Sequence, residues 1–290
     1  MFAYNIRATW RNVPRDTKFE SGTGESEFSV TWQFQDKNVH LPLNSSTYLL
    51  SLIEVHLALP WKKWQHKKAQ KVLTMPNVSF FFDYLSPFSY FAWRRLPELK
   101  SEVELVPVAL GPLLNHWGIK GPGEVQPKRE FLLKQCLRHS TRHNIPFTTP
   151  KTHPFNSLYA LRLSLKEVAH DLQPQVVKTL WEAGWVDRID MGEPDELIRV
   201  LKNAHLPAEE LYEKSFTPEA KKVLKANIAR AISFGVYGVP SFVVKDELFW
   251  GVDSMNELIE FLNGKDLLNR ERLTDLLNST PRAATQGLSF

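Results

Sequence analysis

Cysteine is almost missing from this chain: Cys136 stands alone among 290 residues. A lone thiol excludes an intramolecular disulfide and predicts a reducing, cytoplasmic setting. Long apolar runs are missing as well. None approaches the roughly 20 residues that cross a bilayer, so no transmembrane segment is expected. The opening Met1-Phe2-Ala3-Tyr4-Asn5 lacks a charged start leading into an apolar core, which predicts no secretory signal. A strong excess of one charge is also lacking. With 36 Lys and Arg against 32 Asp and Glu the net charge is +4, too mild to indicate nucleic acid and compatible with acidic small molecules. The histidines form no metal set. His139 and His143 share a helical spacing, but no third ligand lies near them in sequence. Arg138 and Arg142 flank them, so a solvated basic face is expected. What is present is an ordinary globular composition, 43% hydrophobic and 23% charged, in a chain long enough for one large domain or two smaller ones.

Residues 1–76 read as a β-rich appendage and basic linker. Tyr4, Ile6, Ala8 and Trp10 alternate with polar neighbours, and so do Phe28, Val30, Trp32 and Phe34. That is the period of two of half-buried strands. Ser21-Gly22-Thr23-Gly24 loops between them. A short apolar helix is expected over 46–59, stopped by Pro60. The Lys-rich run 61–71, which carries Trp61 and Trp64, reads as a solvated linker.

Strand and helix signals then alternate. Residues 78–83 read as a strand, 86–99 as a helix and 102–108 as a second strand. A βαβ unit of this length implies a parallel pair joined by a right-handed crossover. From about 111 to 234 the pattern is helical, and several helices are opened by proline or a polar cap. Helices are expected at 128–142, 157–169, 174–185, 194–203, 208–214 and 218–234. Strand character returns at Ser241-Phe242-Val243-Val244, and Leu248-Phe249-Trp250 completes a hairpin. A closing helix is expected over 253–262. The order βαβ, helical insertion, ββα predicts an α/β thioredoxin-like fold with a helical domain inserted between its halves. The domain spans 77–263, and 264–290 reads as a C-terminal helix followed by a flexible tail from Ser279.

The stretch Phe82-Asp83-Tyr84-Leu85-Ser86-Pro87-Phe88-Ser89-Tyr90 joins a buried strand to a helix. Thioredoxin-like proteins keep two cysteines at that turn. Here Ser86 and Ser89 replace both thiols, so dithiol redox chemistry is excluded. A helix N-terminus with a hydroxyl and free backbone N–H groups remains, and it suits a thiolate or another anion. Two further pieces stand far along the chain: Gly235-Val236-Tyr237-Gly238-Val239-Pro240-Ser241-Phe242 and Glu247-Leu248-Phe249-Trp250-Gly251-Val252-Asp253. Together the three resemble the 2-hydroxychromene-2-carboxylate isomerase family, which is close to kappa-class glutathione transferases. The resemblance covers roughly 77–263 and leaves 1–76 unplaced.

The resemblance implies a role for each matching residue. Ser86 would hydrogen-bond the sulfur of bound glutathione. Val239 and Pro240 match the residue and cis-proline whose backbone pairs with the cysteinyl part of that ligand. Asp253 matches the aspartate that meets the charged amino end of the γ-glutamyl group, and helix N-cap is its alternative role. Val252 departs from the small hydroxyl or amide residue often found there, which leaves only its backbone N–H. Arg129 falls near the basic residue that faces the glycine carboxylate, with Lys128 as a rival. Ile119 stands where many members have asparagine. Asn156 matches a family asparagine and also suits an N-cap. Cys136 lies on an apolar stripe and reads as core.

The implied activity is a glutathione-dependent cis–trans isomerisation of an aromatic degradation product. Glutathione thiolate would add reversibly to a conjugated carbon, and bond rotation and thiolate departure would follow. The alternatives are a kappa-like transferase that consumes glutathione and a non-enzymatic interaction module. A homodimer is implied by the resemblance alone.

Overall fold

A computed structural model describes residues 29–34, 37–42 and 78–279. The chain divides into two units, Met1–Leu73 and Thr74–Phe290. In the first, β1 (Ser29–Phe34) and β2 (Lys37–Pro42) pair antiparallel as a hairpin. The expected strand over 4–10, the helix over 46–59 and the linker lie outside the described residues. β2 is additional to the strands expected from sequence, and its Val39 and Leu41 continue the alternation.

The second unit is built on a four-stranded sheet. Its strands are β3 (Val78–Phe82), β4 (Val103–Pro107), β5 (Ser241–Val244) and β6 (Glu247–Trp250), in the order β4-β3-β5-β6. β3 runs parallel to β4 and antiparallel to β5, and β6 pairs antiparallel with β5. β3 is buried on both faces, which is why its sequence is a continuous apolar run rather than an alternating one. Phe80, Phe82, Phe242 and Val244 face one core, while Phe81, Val106 and Val243 face a second. Each buried Phe or Val contributes on the order of 1.5–3 kcal/mol.

Helices cover both faces. α1 (Pro87–Arg95) and α2 (Leu110–Trp117) follow the first two strands. The inserted helices are α3 (Gln126–His143), α4 (Leu158–Leu163), α5 (Lys166–Ala169), α6 (Gln173–Trp185), α7 (Pro194–Asn203), α8 (Ala208–Ser215) and α9 (Pro218–Ser233). α10 (Met255–Leu262) closes the fold, and α11 (Arg270–Ser279) follows it. This is the thioredoxin-like fold with a helical insertion that the element order predicts.

Two elements differ from the sequence reading. The helix expected over 157–169 breaks in two, because the Ser164 hydroxyl bonds the Ala160 carbonyl and the Tyr84 hydroxyl, and Leu165 is extended. α2 carries no capping hydrogen bond at Ala109 and so had no start signal. α9 is pinned to the sheet by Arg230, which donates to both oxygens of Glu104 at 2.7 and 2.6 Å and to the Ser79 hydroxyl at 2.9 Å. Among the described residues no helix is long and apolar enough to cross a membrane.

Candidate functional site

Ser86 sits at the N-cap of α1 with extended backbone, φ −96 and ψ 113. Pro87 follows at the first helical position, where its missing N–H costs nothing. The Ser86 hydroxyl oxygen accepts the Ser89 N–H at 3.2 Å, so the residue caps its helix. The same hydroxyl donates to the Val239 carbonyl at 3.2 Å. The two motifs, 153 residues apart in sequence, therefore meet at one hydroxyl. The Val239–Pro240 peptide is cis. Among the described residues the N–H groups of Phe88 and Val239 make no hydrogen bond. These two donors are therefore unpaired among the described residues.

The turn leading to Ser86 is held from several sides. Trp185, at the end of α6, donates from its indole to the Tyr84 carbonyl at 3.0 Å. His153 Nε2 lies 2.9 Å from the Leu85 carbonyl. Asp83 is fully buried and accepts Leu85 N–H at 3.0 Å and Leu110 N–H at 2.7 Å. Burial pushes its carboxyl up to about 6, against the pull of the backbone donors Leu85 and Leu110 and of Ser157. Tyr84 donates or accepts at Ser164 across 2.6 Å, and burial pushes its phenol far above the ordinary range. The helical insertion therefore fixes the geometry of the strand-to-helix turn.

The third motif joins through the backbone. Gly251 donates to the Pro240 carbonyl at 2.9 Å from a left-handed conformation, φ 89, that favours glycine. Val252 is buried behind this corner and Asp253 projects from it, 90% exposed. Asp253 makes no capping bond to α10, whose N-cap is Ser254. Its carboxylate instead lies 3.5 Å from His139 Nε2 on α3. His139 packs edge-on to Phe88, two residues beyond Ser86, with ring centroids 5.8 Å apart. Ser86, Val239, Pro240, Val252 and Asp253 are thus linked by direct contacts or chain neighbours.

Arg129 is not tied into this group. It is exposed in the first turn of α3, as is Lys128, and its side chain makes no hydrogen bond or ion pair among the described residues. Ile119 is exposed past the end of α2. Asn156 does not cap α4. Ser157 holds that position, and the Asn156 carboxamide accepts the Leu158 N–H. Cys136 is fully buried, and burial pushes its thiol up to about 12, as a core residue requires.

The expected solvated basic face at His139 and His143 is corrected. Arg138 and Arg142 are exposed, but His139 is buried against Phe91 and Phe88, with His143 stacked on it. Helical spacing carried the signal: Leu132, Cys136, His139 and His143 share one face at intervals of three and four. No cluster of three or more metal-ligating side chains occurs among the described residues.

Comparison with known proteins places the fold of residues 77–263. The chain is 27% identical over 192 residues to a 2-hydroxychromene-2-carboxylate isomerase of Sphingobium xenophagum, covering 64% of this chain and 97% of that protein. It is 26% identical over 210 residues to the kappa 2 glutathione S-transferase of Caenorhabditis elegans, covering 65% and 93%. Among solved structures a 2-hydroxychromene-2-carboxylate isomerase superposes with a TM-score of 0.59 at 22% identity, over 70% of this chain and 99% of that one. That match speaks for the fold. A family model described as a DSBA-like thioredoxin domain matches residues 77–263, and the chain belongs to that family.

Proposed function

We propose that the protein is a glutathione-dependent isomerase of a 2-hydroxychromene-2-carboxylate-like substrate. The observation that carries this reading is the Ser86 hydroxyl at a helix N-terminus, held against Val239 and without a thiol beside it. The residues fit glutathione. Ser86 offers a hydroxyl donor that swings from the Val239 carbonyl to a sulfur by rotation about one side-chain bond. The open N–H of Val239 suits strand-like pairing with a ligand amide. Asp253 offers an exposed carboxylate to an ammonium group. Glutathione, when bound, supplies the sulfur nucleophile.

The chain's own part is to lower the cost of ionising that sulfur and to fix its position. A free thiol ionises near pH 8.5, and a helix N-terminus with a hydroxyl donor lowers that value. The rigid turn keeps Ser86 aimed at one point, which converts binding energy into orientation. Arg129, with no partner of its own among the described residues, is available to a ligand carboxylate.

Thermal stability with and without millimolar glutathione tests the reading. A saturable rise in melting temperature is expected. Ser86→Ala should weaken glutathione binding about ten- to a hundredfold, the value of a hydrogen bond to a charged group. No shift in the unsubstituted protein would remove the enzyme reading and favour an interaction module. The similarity to kappa-class transferases supports a second reading, conjugation of glutathione to an electrophile. Product analysis separates the two, since a transferase consumes glutathione and an isomerase returns it. The proposal carries a cytoplasmic homodimer, which light scattering and cell fractionation check.

A further inference from the structure

His139 is one of the few buried polar side chains that the turn and its clamp leave unused. The residue is 7% exposed, and its ring lies between Phe88 and Phe91 of α1 and His143 of its own helix. One nitrogen, Nδ1, is buried and has no hydrogen-bond partner among the described residues. The other, Nε2, is 3.5 Å from the Asp253 carboxylate. The second of these decides the tautomer. An ionised carboxylate only accepts, so a lone pair on Nε2 would face its negative charge, whereas a proton there is attracted to it. The proton therefore sits on Nε2 and faces Asp253.

We infer that His139 is a positioning residue for Asp253: neutral, it orients the carboxylate toward the α-ammonium group of a γ-glutamyl ligand, and protonated, it takes the carboxylate for itself and expels that group. The inference rests on the reading of Asp253 as the seat of the ammonium group. Protonation would put a second N–H into the unpaired pocket at Nδ1 and a positive charge beside the ligand's own. By linkage the ligand and the proton then oppose each other at His139. The groups around the ring are few. Asp253 attracts a proton to it, while His143 and Arg142 on α3 and Arg95 on α1 repel one. Burial pushes the imidazole below its ordinary range, ahead of the opposing pull of Asp253. Glu98 faces His143 rather than His139. Cys136, one turn earlier, stays a neutral thiol.

The test uses S-methylglutathione, which keeps the ammonium group and has no titrating thiol, in calorimetric titrations of the full chain from pH 8 to 5.5. The affinity should fall on acidification, by less than tenfold at pH 5.5, because burial holds the free imidazole below its ordinary value. His139→Gln keeps an N–H donor that does not titrate. It should bind as the unsubstituted chain does at pH 8 and lose most of the acid-side fall. An N-acetylated S-methylglutathione, without the ammonium group, should show no such fall in either protein. Identical pH profiles for the chain and His139→Gln would overturn the proposal. A readout without ligand keeps the two ideas separable. In the free protein, the NMR titration midpoint of His139 should move down on Asp253→Asn, because the attracting charge is gone. A midpoint that does not move overturns the coupling, whatever the ligand data say. A shifted midpoint without S-methylglutathione binding at any pH would sink the glutathione reading and, with it, the ligand half of this proposal.

Discussion

The turn at 83–86 and the corner at 251–253 lie at two ends of one chain of contacts and are built in opposite ways. At the turn, Asp83, Tyr84 and Ser86 are buried, and the carbonyls of Tyr84 and Leu85 are met by Trp185 and His153 from the insertion. At the corner, Asp253 is exposed, and among the described residues the imidazole of His139, 3.5 Å away, is the one basic group against its carboxylate. On the proposed glutathione reading, the difference separates two tasks. Orienting a nucleophile needs a rigid support, since small misplacements cost large factors in rate. Recognising the charged end of a flexible ligand needs open polar groups that the ligand itself completes. Stability should therefore be concentrated at the turn and ligand dependence at the corner, and substitutions at the two ends can break that contrast.

The largest expected effect is at Trp185. Trp185→Ala removes a buried indole and leaves the Tyr84 carbonyl unpaired. It should destabilise the fold by about 3–5 kcal/mol, the usual cost of emptying an aromatic site. Denaturant unfolding measures this directly. Trp185→Phe keeps most of the volume and should cost about 1–3 kcal/mol, the value of the lost hydrogen bond alone. If Trp185→Phe were neutral, the indole would be filling space rather than holding the turn.

Asp83 comes next and brings a pH dependence. Asp83→Asn leaves one of the Leu85 and Leu110 N–H groups facing an amide NH2, a loss of about 1–3 kcal/mol. The carboxyl's folded value of about 6 lies above its ordinary 3.8, so the folded chain holds a proton that the unfolded chain has released. The burial cost is absent below the ordinary value, grows between the two values, and is fully present above 6. Acidification therefore relieves it, and the unsubstituted chain gains on Asp83→Asn as pH falls. The stability gap between the two should be narrower at pH 8 than at pH 5 by about 1 kcal/mol. His139 acts in the other sense. Its folded value is lowered by burial, so it costs stability as pH falls through its ordinary range. Measuring the gap rather than the absolute stability cancels that second group.

The turn and the corner also differ in how far they could be read from sequence. The strands were legible because Phe80-Phe81-Phe82 and Phe242-Val243-Val244 are buried runs without interruption. Helix starts were legible wherever a proline or Thr217 marks them, as in α1, α7 and α9. Ser86 was legible as a cap, because capping is local: residue 86 binds the N–H of residue 89. The clamp on the turn was not. Trp185 reaches a carbonyl 101 residues away and His153 one 68 residues away, and no spacing rule links such pairs. Asp83 gave a signal that went unused, since a lone carboxylate ending an apolar strand needs buried donors. His139 was misread because its sequence neighbours are arginines, although its helical neighbours are Cys136 and His143. Charge along the chain is a poor guide where the period of 3.6 decides the face.

The smallest effect on stability, and the sharpest test of the contrast, pairs Ser86→Ala with Asp253→Ala. Losing the Ser86 hydroxyl removes a helix cap, a cost of about 1 kcal/mol. It also leaves the Val239 carbonyl without its donor. Asp253→Ala removes a side chain that caps nothing and is open to solvent, so the melting temperature without ligand should stay in place. Adding glutathione should reverse the order of interest. Both variants should bind more weakly than the unsubstituted chain, but only Ser86→Ala should change the ionisation of the bound thiol, read as thiolate absorbance against pH. Asp253→Ala should leave that ionisation alone and lower affinity for ligands that carry the ammonium group. If Asp253→Ala instead shifted the thiolate titration, the two ends would not be separate. The corner would then act on the sulfur through the Gly251–Pro240 bond rather than on the far end of the ligand.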